Sequence, residues 1–373
     1  MNGIERFINV MEYRPVDYVP NWEAGVWGQN ITLWEQQGLN QYSIHWDWFT
    51  GEERYHMDAR EYVDVNFGMM PAFEYEVLSR DERYELIRDS EGRVRRALIE
   101  GMEHGTRASM DEFISFAVED VADFRKLKKR YVANLAGRYP AMWRDIRLPG
   151  WKAREHVLIL GRNCSTGGFY WRARDWMGTV NLSYAFYDQP ELVHEMMEFI
   201  ADFTMEVARP VLETGIAPEY VMISEDMSMK NGPLLSPAHY REFIMPHMRR
   251  MTEFFKRYGV KYVGVDTDGD CDALIPLLLE CGVDMIWPIE RVCMDPLELR
   301  RKYGRDLRLW GGVDKRELAK GPAAIDEHLK TLVPLVADGG FIPTVDHVVS
   351  PDVSLSNFEY YITQKMKLLK DLL

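Results

Sequence analysis

The chain has 373 residues, with 45 Lys and Arg against 59 Asp and Glu, for a formal charge of −14. A hydrophobic share of 46% and a charged share of 28% exclude a disordered or collagen-like chain. The acidic excess argues against a nucleic-acid partner, because binding to a phosphate backbone is carried by clustered Lys and Arg.

The basic run at residues 125–130 lies on a predicted helix beside acidic neighbours and reads as a solvated face. No apolar run reaches the roughly 18 residues of a membrane span. Residues 1–6 carry neither the basic nor the apolar region of a secretory signal, so a cytoplasmic location is expected. Cys164, Cys271, Cys281 and Cys293 lack C-x-x-C spacing and are expected as reduced, mostly buried thiols.

In chain order, residues 17–22 read as a first strand. Residues 73–100 alternate like a β-hairpin, with strands at 73–77, 84–88 and 94–99 around the turn Asp89-Ser90-Glu91-Gly92. Further strands are predicted at 156–160, 220–224, 262–265, 285–289, 307–310 and 341–345. Between them lie helices at 190–214, 237–258, 271–281, 296–303 and 322–337, several opened by a proline that suits the first helical turn.

Strand and crossover helix in alternation imply parallel pairing with helices covering the sheet. No G-x-G-x-x-G follows the first strand, and polar side chains recur after many strands. The expected fold is therefore α/β: a (β/α)8 TIM barrel spanning residues 1–373 as one domain, with an N-terminal extension and a hairpin insertion at about 73–100.

In such a barrel the chemistry gathers where the strands end. Here those positions supply Glu225 and Asp226, then Asp266, Asp268 and Asp270, then Glu290, then Asp314 and Lys315, and finally Asp346 and His347. Carboxylates crowded into one mouth raise one another's pKa unless a cation intervenes. Asp226, Glu225, Glu290, Asp314 and His347 are the candidate catalytic groups. For any single acid, helix capping or loop solvation competes with that reading.

Asp266, Asp268 and His347 form an oxygen and nitrogen donor set suited to zinc, iron or manganese. The run 266–270 is not an EF-hand, because Gly269 stands fourth and Leu277 twelfth. Arg162 and Tyr170, beside Gly167-Gly168, are candidates for substrate binding. Five of the eleven tryptophans fall between Trp22 and Trp48, as a lid, a subunit contact or an aromatic wall. Trp22, Glu23 and Trp27 are placed in the site.

Several motifs resemble the uroporphyrinogen decarboxylase superfamily, which includes corrinoid-linked methyltransferases. They are Arg6-Phe7 with residues 13–20, Asn231-Gly232-Pro233-Leu234-Leu235-Ser236-Pro237, residues 243–246, Gly311-Gly312-Val313-Asp314-Lys315, and Asp346-His347 with Pro351-Asp352-Val353. The resemblance implies the barrel and a homodimer. Where the decarboxylase carries an arginine-rich loop, this chain reads Asn21-Trp22-Glu23-Ala24-Gly25-Val26-Trp27, which would repel a polycarboxylate.

Where the superfamily's thiol methyltransferases carry zinc-binding His-x-Cys, this chain has Asp266-x-Asp268, a harder site. The function implied is transfer of a methyl group from a small methoxylated or methylamine substrate to a corrinoid protein. Asp266, Asp268 and His347 would hold a divalent metal, zinc first, or donate protons. Glu225, Asp226 and Glu290 would lie near the leaving group, and Trp22 and Trp27 would flank the substrate. The alternative is a lyase of the decarboxylase kind, with Asp226 or Asp314 stabilising a protonated pyrrole and His347 assisting. A third reading is a binding or regulatory protein on an inherited barrel.

Overall fold

A computed structural model describes residues 1–107, 109–161 and 166–371. Helix α1 (Gly3–Met11) starts at a capping box in which the Asn2 side chain and the Glu5 amide, and the Glu5 side chain and the Asn2 amide, bond reciprocally. It buries Phe7, Val10 and Met11. Strand β1 (Arg60–Val63) follows, then β2 (Glu76–Arg80), β3 (Tyr84–Arg88), β4 (Val94–Leu98) and β5 (Glu112–Ser115). Further on come β6 (Val157–Leu160), β7 (Tyr220–Ser224), β8 (Tyr262–Asp266), β9 (Met285–Ile289), β10 (Arg308–Val313) and β11 (Phe341–Val345).

Strands β1 and β6 to β11 pair in parallel in that spatial order, as one seven-stranded sheet. The connecting helices include α2 (Phe169–Met177), α3 (Pro190–Leu212), α4 (Met245–Arg257) and α5 (Pro322–Asp338), and α6 (Leu355–Asp371) ends the chain. Strands β6, β7, β9 and β11 are buried along their whole length, as strands covered on both faces must be.

Register places Ser224, Asp266 and Trp287 side by side at the carboxyl ends of β7, β8 and β9. Four residues earlier on the same face stand Tyr220 and Tyr262, whose rings meet Phe7 of α1 at 5.5 and 5.8 Å. Between the two levels Trp22 contacts Phe7 and Trp310, and the buried Arg60 guanidinium lies 4.3 Å from the Trp22 ring. An aromatic plug therefore closes the amino-terminal end of the sheet and leaves the carboxyl end for polar groups.

Three expectations change. Residues 17–22 form no strand. Pro20 has no N–H, the Val19 amide bonds to Leu369 O, and the Asn21 amide bonds to the Asp58 carboxylate, so no ladder can form. The next residue, Glu23, reaches β11 instead, its Oε2 accepting from the Val345 amide at 2.7 Å. Residues 73–100 belong to an antiparallel sheet of four strands, β2-β3-β4-β5, rather than a hairpin. The helix expected over 237–258 is also interrupted. Residues Tyr240–Ile244 widen into a π turn ahead of α4, where Pro246 cannot donate to the preceding turn. No helix among the described residues is long and apolar enough to cross a membrane.

Candidate active site

The carboxyl ends of the strands open onto a cavity of about 650 Å³. Asp226, Asp266, Asp268, Ser224 and His347 line one side of it, and Trp46, Phe49, Phe67, Trp171, Trp176 and Trp287 supply aromatic walls. Trp287 meets Phe49 edge to face at 5.6 Å and stacks on the His347 imidazole at 6.1 Å and 19°.

Asp266 ends β8, and its Oδ2 accepts a hydrogen bond from Ser224 Oγ at 2.7 Å. Burial pushes its carboxyl up to about 8, reinforced by the neighbouring charges of Asp268, Asp226 and Glu225 and opposed by the Ser224 bond. Asp268 is more open to the cavity. Desolvation first, then Glu290 and Asp226, push it up to about 7. His347 Nε2 stands 3.9 Å from Asp268 Oδ1. Burial, then Lys315, lowers the imidazole to about 4, so at neutral pH it is uncharged and neutralises neither acid.

The nearby cations are engaged elsewhere. Arg174 donates to the Asp226 carboxylate at 2.6 Å and to its carbonyl at 3.1 Å, holding Asp226 at the left-handed φ of 41°. Lys315 pairs with Asp346 at 3.4 Å. No cation bonds directly to Asp266 or Asp268, although the charges of Lys315 and Arg174 partly offset the rise at Asp268. The shift favours the protonated form of Asp266 at neutral pH and leaves Asp268 near its midpoint.

Because folding lifts Asp266 from the usual 3.8 to about 8, the folded chain keeps a proton that the unfolded chain releases. Its contribution to stability is fully present below about pH 4 and is lost as pH rises through about 8. Between about pH 5 and 9 the melting temperature of the wild type is expected to fall further than that of D266N. Calorimetry at constant ionic strength checks this.

Among the described residues no three His, Cys, Asp or Glu side chains converge as a metal-holding group. Asp266 Oδ2 accepts from Ser224, and His347 Nε2 stands 3.9 Å from Asp268 Oδ1.

Other expected site residues lie outside the cavity. Glu225 is fully buried, with Oε1 and Oε2 accepting from the amides of Phe169 and Tyr170 at 3.0 and 2.7 Å at the start of α2. The approach requires Gly168, since a Cβ there would meet Ser224 O at 2.1 Å. Glu225 thus anchors a helix and does not face a leaving group, and Tyr170 is buried in the same contact. Glu290 Oε2 accepts from the Gly269 amide at 2.7 Å and clamps the loop after β8.

Asp314 caps the short helix Lys315–Ala319, is held by Arg316, and lines a separate surface depression with His328. Trp22 belongs to the aromatic plug, its Nε1 donating to Asp58 O. Glu23 is buried on Lys365 and Tyr361. Trp27 precedes the helix Gly28–Gln36 and packs on the core. Arg162 and Cys164 lie outside the described residues. Cys271 and Cys281 are buried free thiols, and Cys293 is half-buried.

Sequence reasoning missed most of the wall: Phe49, Phe67, Glu91, Arg93, Arg172 and Asp175 all line the cavity. Trp287 was detectable, since it alternates in register with Asp266 within a predicted strand.

The family model described as uroporphyrinogen decarboxylase (URO-D) matches residues 173–364, the segment that contributes Asp226, Asp266, Asp268 and His347. A uroporphyrinogen decarboxylase of Nocardia farcinica is 28% identical over 174 residues, covering 44% of this chain and 46% of its own. One from Streptomyces coelicolor is 28% identical over 189 residues, covering 48% and 49%. The chain thus spans about half the length of the curated relatives it matches. A solved structure, a methyltransferase from Methanosarcina mazei, aligns with a TM-score of 0.61 over 98% of this chain and 99% of its own, at 14% identity. That likeness is one of fold. The chain belongs to the uroporphyrinogen decarboxylase (URO-D) family.

Proposed function

We propose that this protein is a demethylating methyltransferase, which moves a methyl group from a small methoxylated arene to a corrinoid carried by a partner protein. The observation that carries this reading is the Asp266–Asp268 pair, set without a directly bonded cation in an aromatic-walled cavity. An ether oxygen leaves as a poor anion unless it is protonated as its bond to methyl breaks. Asp266 is placed to transfer that proton. The O–CH3 bond breaks, its electron pair stays on the oxygen, the proton moves from the Asp266 carboxyl to that oxygen, and the methyl passes to the acceptor. The corrinoid supplies the nucleophile.

The wall rings hold an arene by stacking at little entropic cost. An ammonium donor leaves as a neutral amine and gains less from a protonated acid, so the methoxyl branch of the expectation is preferred. The seven-stranded parallel sheet supports this role by bringing the carboxyl ends of its strands to one cavity.

Decarboxylation is the second reading, favoured by the names of the matched relatives. A protonated aspartate can also deliver a proton to a pyrrole carbon. Against it stands the charge of the cavity: Arg93 and Arg172 are its two lining cations, and Arg93 is engaged by Asp89 and Asp175. Arg172 donates to the carbonyls of Phe67 and Thr166, so a substrate bearing several carboxylates would find few cations free to pair with it.

Incubation of the full chain with a methoxyarene panel and a reduced corrinoid protein is expected to yield the phenol together with a methylated corrinoid. Release of carbon dioxide from a porphyrinogen without any corrinoid would establish the second reading instead.

A further inference from the structure

The turn between β3 and β4 reaches the cavity from outside the segment that matches the family model. Asp89 makes it rigid. Its Oδ1 accepts from the amides of Glu91 and Arg93, each at 3.0 Å, and its Oδ2 from Arg93 Nε at 2.9 Å. Gly92 adopts φ +82°, and a Cβ there would meet the Phe73 ring at 2.7 Å. Arg93 continues to Asp175 at 2.6 Å, and Asp175 accepts from Trp171 Nε1 at 2.7 Å. Arg172 donates to the carbonyls of Phe67 and Thr166.

Asp89, Arg93 and Asp175 are therefore engaged in bonds to one another, while Glu91 feels Arg172 and Arg93 only through their charge. Its carboxyl lines the cavity, half-buried, and among the described residues it makes no hydrogen bond or ion pair. Desolvation, then Asp175, raises its pKa. A half-buried acid on a stiff turn, with no hydrogen-bond donor supplied by the chain, is suited to a donor supplied by a ligand.

We propose that Glu91 is a specificity-determining residue of this cavity, accepting a hydrogen bond from a hydroxyl on the substrate. The preferred substrate is then a methoxyphenol rather than a fully etherified arene. This rests on the reading of the cavity as a methoxyarene site. The family-matched strands carry the proton chemistry, and the turn outside them selects the ring substituent.

The test is equilibrium binding, followed by quenching of tryptophan fluorescence in the full chain, with 4-methoxyphenol and 1,4-dimethoxybenzene as probes. The wild type is expected to prefer the phenol by about ten- to hundredfold. In E91L the ratio of affinities should collapse toward one. E91Q, isosteric and still carrying an acceptor oxygen, should retain part of the preference. Melting curves of both variants establish that they fold.

Equal binding of the two probes by the wild type, binding of neither, or a preference that survives in E91L overturns the assignment. A Glu91-dependent preference without methyl transfer retires the demethylase reading and leaves Glu91 as the selector. Methyl transfer without any preference does the reverse.

Discussion

Asparagine in place of Asp266 is expected to lower kcat by about 10²- to 10⁴-fold, the usual range for losing a positioned proton donor. The substitution is nearly isosteric. Its carbonyl can still accept from Ser224 Oγ, which now bonds Asp266 Oδ2 at 2.7 Å, so the wall keeps its shape. What is lost is the transferable proton. KM should change by no more than a few-fold, because the substrate is held mainly by ring contacts.

The wild-type rate should also fall with rising pH as the carboxyl, pushed up to about 8 by burial and its acidic neighbours, gives up its proton. Replacing Asp268 by asparagine removes one of those neighbours. The limb should then move to lower pH, with a smaller loss of rate at pH 6. Steady-state kinetics of the three proteins across pH separates donor from neighbour. An unchanged kcat in D266N would show that the proton comes from elsewhere.

The largest effect on stability is expected at Lys365, on α6. Its ammonium is fully buried and is held by Glu23 Oε1 at 2.7 Å and Trp22 O at 2.7 Å. Burial lowers its pKa, and the Glu23 carboxylate opposes that shift. Methionine at this position leaves Glu23 charged and unpaired in the core, at a cost of about 3–5 kcal/mol. The double variant E23Q/K365M removes both charges and should cost less than the sum of its parts.

The consequence reaches the cavity, because Glu23 Oε2 also holds the Val345 amide, immediately before Asp346 and His347. Urea unfolding of the two single variants and the double variant gives the coupling directly. Additive losses would mean that the pair is not a pair.

How much of this could be read from the residues depends on the range of the contacts. Strands 220–224 and 285–289 were legible, since apolar runs bounded by polar turns are local signals, and the acids at their ends came with them. The division of labour among those acids was not. Glu225 and Asp226 are adjacent in the chain, yet Glu225 anchors the first turn of α2 and Asp226 lines the cavity. Only the position of α2, and the close approach at Gly168, separates the two roles.

Residues 17–22 have the composition of a strand, but Asp58 and Leu369 take the amides that a ladder would need, and those partners are distant in sequence. The turn at 89–92 was legible as a turn. That it aims Glu91 at a cavity formed by strands more than a hundred residues away was not, because no periodicity encodes the packing of one sheet on another.

Proton transfer from Asp266 requires that its carboxyl hold a proton at neutral pH before substrate binds. The most direct test is the infrared difference spectrum between wild type and D266N, recorded at pH 6 and pH 9. A protonated-carboxyl band lost in D266N is predicted at pH 6, giving way to a carboxylate band at pH 9. A carboxylate band already complete at pH 6 would contradict the account.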